Sequence, residues 1–117
     1  MVDDPLSVLV GRQLSSVEFV MDYVQIRFGG PCLTAITHPE VVSGERRYRW
    51  GECAYRNMLC GCIEHDVRSA YIRSNQEAVI EFDGDVSISI SLRPEDSRSR
   101  SGEMLIFDNG PEDTWIW

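Results

Sequence analysis

The sequence contains no lysine: its eleven basic residues are all arginine, set against nineteen Asp and Glu for a formal net charge of −8. That absence excludes a lysine nucleophile, a Schiff base and a P-loop. The arginines are scattered, so codon usage accounts for the bias better than a need for bidentate donors does. Long apolar runs are missing too, and no stretch is long enough to span a bilayer. The start, Met1-Val2-Asp3-Asp4, has neither the basic nor the apolar region of a signal peptide, so a cytoplasmic protein is expected. Histidine is scarce, with only His38 and His65. There is no Gly-x-Ser-x-Gly, no His-Glu-x-x-His, no phosphate-binding glycine loop and no dinucleotide fingerprint.

What is present is an internal repeat. Leu9-x-Gly11 with Val17 returns as Leu59-x-Gly61 with Val67. After a four-residue insertion, Ile26-x-Phe28-x-Gly30 returns as Ile80-x-Phe82-x-Gly84, and Cys32, Thr34 and Ile36 fall on Val86, Ile88 and Ile90. Apolar and glycine positions match while polar ones do not, as expected of a duplicated supersecondary unit. The chain of 117 residues reads as one domain containing the repeat at about 6–37 and 52–92, with a C-terminal hairpin at 103–117.

Alternation of apolar and polar residues predicts strands over 17–21, 24–28, 32–37, 67–73, 78–82 and 86–92, with an edge strand at 46–50. The strand from Val86 is the clearest, with Ile88, Ile90 and Leu92 on one side and Ser87, Ser89 and Ser91 on the other. Asp4-Pro5 signals a short helix start, with Asp4 as cap and Pro5 in the first turn. A second short helix is expected over 52–60, ended by Gly61. The fold class is therefore α+β, mainly β: two three-stranded antiparallel meanders, each preceded by a short helix or turn, plus the terminal hairpin. A pseudo-twofold axis would relate the halves around a core of Phe19, Ile26, Phe28, Ile80, Phe82, Ile88 and Ile90.

The four cysteines, Cys32, Cys53, Cys60 and Cys62, would stay reduced in a cytosol, and Cys60-x-Cys62 lacks the spacing of a zinc ribbon. No metal, cofactor or catalytic residue is expected. Glu64 and Asp66 flank His65 but would point to the opposite strand face, so they cannot form a dyad with it. Arg46-Arg47-Tyr48-Arg49-Trp50 interleaves cations with aromatics, yet the acidic balance disfavours nucleic acid as a partner. Glu77, Glu81, Asp83 and Asp85 gather around one predicted hairpin and are the expected partner-binding residues, suited to a basic surface. Their spacing does not match a calcium-binding EF-hand loop. Trp115-Ile116-Trp117 can complete the core or dock a partner.

The Leu-x-Gly, Val and Ile-x-Phe motifs, given twice, resemble small bacterial proteins of uncharacterised function, over about residues 6–107. Many of those resemble immunity proteins encoded beside polymorphic toxins. The resemblance implies a non-enzymatic inhibitor that occludes a basic toxin domain. A structural subunit assembling through a sheet edge, such as a homodimer, and a small metal-dependent hydrolase using His38, His65 and the cysteines are the alternatives.

Overall fold

The computed structural model describes residues 4–117; the expectation drawn from Met1 to Asp3 concerns residues outside that range. The fold is mainly β, with two five-stranded antiparallel sheets. A 3-10 turn, Pro5–Leu9, leads into β1 (Ser16–Val20), β2 (Tyr23–Arg27) and β3 (Cys32–Ala35). There follow β4 (Glu40–Ser43), β5 (Arg46–Tyr48) and one helix, α1 (Tyr55–Cys60). The second meander is β6 (Val67–Arg73), β7 (Glu77–Phe82) and β8 (Val86–Ser91), and the chain ends with β9 (Leu105–Asp108) and β10 (Thr114–Ile116).

The sheet orders are β1-β2-β3-β9-β10 and β5-β4-β8-β7-β6. Each meander thus receives its outer hairpin from the other half. The chain leaves β3, crosses over and lays β4–β5 beside β8; it leaves β8, crosses back and lays β9–β10 beside β3. The hairpins carry core residues with them. Val41 pairs with Ile88 and Phe107 with Leu33, and all four are buried. Sequence alternation had no hold on β4, whose two valines are adjacent rather than alternating.

The two halves are related by symmetric backbone hydrogen bonds. Gln13 bridges Asp66, and these two occupy the same place in the two units. Gly11 N–H donates to Val67 O at 2.9 Å, and its mate Glu64 N–H donates to Leu14 O at 2.8 Å. Val67 N–H reaches Arg12 O at 2.8 Å, and Leu14 N–H reaches His65 O at 3.3 Å. This correspondence corrects the sequence alignment. Leu6 answers Leu59, Leu9 answers Cys62 and Leu14 answers Val67, all buried. Gly11 answers Glu64 rather than Gly61. The backbone agrees, since Gly11 (φ 86°) and Glu64 (φ 76°) are both left-handed and Gly61 is not.

Later in the repeat the alignment slips again. Ile26 pairs with Leu33 and Ile80 with Ile88, because the second turn is one residue longer. The true counterparts of Ile88 and Ile90 are therefore Leu33 and Ala35, which are buried, while Thr34 and Ile36 face outward. A one-residue shift exchanges the faces of a strand. The turns preceding β2 and β7 likewise differ by one residue, not four. The large insertion lies elsewhere, in the crossover from Leu92 to Phe107, which is long where its counterpart from Thr37 to Val41 is short.

Left-handed backbone at a glutamate costs about 1–3 kcal/mol. Glu64→Gly should therefore stabilise the fold by about 1 kcal/mol after the added chain entropy of glycine is deducted. Denaturant unfolding of the variant checks this.

The expected core is found. Ile26, Phe28, Ile80, Phe82, Ile88 and Ile90 are buried, and Phe19 packs partly buried against them. Asp4 caps the first turn as expected, accepting from Leu6 N–H at 3.0 Å. Its other oxygen accepts from Ile72 N–H at 2.6 Å and so ties the turn to β6. No helix is long and apolar enough to cross a membrane, among the described residues.

Candidate functional site

The outward face of the second sheet carries most of the chemistry. Alternation and register place Glu40, Ser89, Val79 and Tyr71 in one cross-strand row, and Val42, Ser87, Glu81 and Ser69 in the next. Serines on β8 leave this face low and wettable, and two clefts open on it.

The four expected binding carboxylates are divided between the two ends of this face. Glu77 and Glu81 share a side of β7, but four residues of strand separate them by about 13 Å. Glu77 is held by Arg73 at 2.9 Å and by the Ser89 hydroxyl at 2.6 Å. Glu81 accepts from Ser69. Asp83 pairs with His65 Nδ1 at 2.6 Å. Asp85 sits left-handed at the tip, beside Gly44 of the β4–β5 turn. The structure thus brings Glu81, Asp83 and Asp85 together and leaves Glu77 with the opposite end.

The first end gains carboxylates that the sequence pattern does not assign to it. The Gly44 N–H bonds to Asp85 O at 3.3 Å, which brings exposed Glu45 alongside, and Asp83 N–H bonds to Asp66 O at 3.1 Å, which brings Asp66 and Glu64. A cleft of about 340 Å³ there includes Glu81, Asp85, Arg68 and Ser87. Among the described residues the one ion pair at this end is that of His65 with Asp83. His65 therefore has a carboxylate partner, drawn from the next hairpin rather than from its chain neighbours.

The second end is arginine-bearing. A cleft of about 570 Å³ is walled by β4, β5 and the long second crossover. Glu40 bridges Arg47 at 2.6 Å and Arg49 at 3.2 Å. Thr37, buried, donates to Ser91 O at 2.8 Å and fixes the short crossover against β8. Next to it His38 stacks on Trp50, with centroids 4.1 Å apart and planes 5° from parallel. Burial, with the charge of Arg98, pushes the His38 pKa down. Tyr55 from α1 supports this corner, its hydroxyl donating to Pro39 O. Burial pushes the Tyr55 pKa up, so it remains a neutral donor.

His38 and His65 lie at opposite ends of the sheet. Among the described residues no three His, Cys, Asp or Glu side chains gather as metal ligands. The cysteines are free: Cys53 and Cys60 are exposed and Cys62 is buried. Burial, with Cys60 nearby, pushes the Cys62 thiol up to about 11. Because the thiolate is the reactive form, iodoacetamide at neutral pH should label Cys53 and Cys60 in the folded protein and leave Cys62 unmodified, by mass spectrometry.

The edge strands are β1 and β10 in the first sheet and β5 and β6 in the second, and β5 and β10 occupy equivalent places. Their aromatics correspond: Tyr48 pairs with Val41 as Trp115 pairs with Phe107, and each is followed two residues later by Trp. Trp115 and Trp117 stack at 6.5 Å, and Trp117 packs on the core. Trp115 is 44% exposed and Ile116 64%. No family model, curated protein or solved structure matches this chain.

Proposed function

We propose that the protein is a non-enzymatic binding protein whose acidic sheet end covers a basic surface on a protein partner, in the manner of an immunity protein facing a toxin domain. The observation that carries this reading is the convergence of three turns, which sets Glu45, Glu64, Asp66, Glu81, Asp83 and Asp85 around one end of the second sheet. Carboxylates without partners raise the local negative potential, and such a surface accelerates encounter with a cationic one. Arg46, Arg68 and His65 at the same end leave the balance acidic. The β7–β8 hairpin, paired along both strands, presents Asp83 and Asp85 on a short turn, so docking has no long loop to order. The resemblance of the repeated motifs supports a toxin-type partner, and a cytoplasmic location is part of the same proposal.

Co-expression with the products of neighbouring genes tests the reading. A basic protein should co-purify, and its release should be promoted by salt. Recovery of no neighbour, or of one whose binding ignores salt, would contradict it.

A second reading, assembly through a sheet edge, is favoured by one observation: every residue of β10 is exposed, including Trp115 and Ile116. If β10 seats a second copy, deleting residues 114–117 should convert an oligomer to a monomer in light scattering.

A further inference from the structure

The second crossover is where the two halves differ most in length, and it walls a cleft on the second sheet. We propose that this cleft, at the end of the sheet remote from the acidic turns, is a binding site for a small oxyanion, a carboxylate- or phosphate-bearing compound gripped by Arg93 and Arg98. The inference is independent of the protein-binding role above and uses different residues.

The charge balance inside the cleft is the first support. Two of its three carboxylates are paired with arginine, and the third, Asp96, keeps its charge and accepts from a serine hydroxyl. Glu40 holds Arg47 and Arg49. Glu77 holds Arg73 and Ser89, and Asp96 accepts from the Ser91 hydroxyl at 2.6 Å. Among the described residues neither Arg93 nor Arg98 makes an ion pair, although both line the cleft; Arg98 makes one long hydrogen bond, donating to Met21 O at 3.5 Å. The lining sets Arg47, Arg49, Arg93 and Arg98 against Glu40, Glu77 and Asp96, so the cleft's balance is positive by one charge in a chain of net charge −8. Guanidinium forks match the geometry of carboxylate and phosphate oxygens.

The second support is shape and lining. The cleft's volume of about 570 Å³ falls within the range of small-molecule sites. Ser89, Ser91 and Gln76 add neutral hydrogen-bonding groups to its wall. A long polyanion is disfavoured by the acidic surroundings, so the ligand is small.

The third support is His38. Its Nε2 is closed off from solvent and has no hydrogen-bond partner among the described residues. It faces Arg98 from the second crossover, Trp50 beyond β5, and the Glu40, Arg47 and Arg49 cluster in the same wall. An anion on Arg98 offsets the charge that opposes protonation of His38, so ligand binding and proton uptake at His38 are linked.

The test is an NMR titration of the 15N-labelled full chain at constant ionic strength. Inorganic phosphate and succinate are the probes and chloride is the control. Saturable shifts are expected at the Arg93 and Arg98 side chains and at the amides of 89–98, and the His38 titration midpoint should rise in the bound form. Saturation with phosphate alone, or with succinate alone, supports the proposal and identifies the source of the oxyanion. Because both arginines are exposed, Arg93→Gln with Arg98→Gln should fold normally and weaken binding about tenfold or more, since charge-assisted hydrogen bonds are lost. Shifts that do not saturate, that spread equally over the other arginines, or that persist in the double variant would overturn the proposal.

Discussion

Phe107→Ala is expected to destabilise the protein by about 3–5 kcal/mol, the usual cost of removing a buried aromatic ring from a core that cannot collapse around the gap. Phe107 is fully buried and pairs with Leu33 across the junction between the exchanged hairpin and the first meander. A terminal hairpin merely added to a finished domain would tolerate this change. Here the hairpin supplies Leu105 and Phe107 to the common core, and Met104 and Trp117 close it off. Native domains are stable by about 5–15 kcal/mol, so the loss is a large fraction of the total. Urea unfolding should show one cooperative transition at a lower midpoint with the same slope. An effect below about 1 kcal/mol would mean that β9 is peripheral to the core.

Reversing Glu81 and Asp83 to Arg should slow association with a basic partner by about tenfold to a thousandfold, with dissociation changing less. Both lie at the acidic end, Glu81 near the end of β7 and Asp83 in the β7–β8 turn. Asp85 is better left unchanged, because its positive φ of 59° would strain a longer side chain. Folding should persist. The two reversals remove a hydroxyl bond from Ser69 and a half-exposed pair with His65, and exposed pairs of this kind contribute about 0–1 kcal/mol. Stopped-flow association at several salt concentrations reads the effect. The wild-type rate should fall steeply as salt rises, and the variant's rate should be nearly flat.

Much of the fold was legible in the sequence because most strands alternate. Val86–Ser91, with serine on one side and isoleucine on the other, admits one reading, and β6 matches its expected bounds of 67–73. The matching apolar and glycine positions were legible, but the register of the strands that carry them was not. In Cys32-Leu33-Thr34-Ala35-Ile36 both alternating sets are apolar enough to be core, and only the difference in turn length decides between them. The exchange of hairpins was hidden for a different reason. Periodicity shows that a strand exists, and short connections suggest its sequence neighbours as partners, whereas β4 and β9 each pair across the molecule.

The site was legible in part. Four acidic residues close in sequence were expected to form one cluster, but strand geometry carries Glu77 away from Glu81 and gives it to Arg73. Glu45, Glu64 and Asp66 join the acidic end through turns that meet only in three dimensions. The arginine cleft was invisible because Arg47, Arg49, Arg93 and Arg98 come from a hairpin and a crossover far apart in the chain.

If the acidic end of the second sheet meets a basic partner, hydrogen exchange of the co-purified complex registers the contact there. Added protection is expected at the β7–β8 turn, at 44–45 and at 64–66, with the outward face of the first sheet unchanged. Protection confined to β10, or to the outward face of β1, β2 and β3, would contradict it.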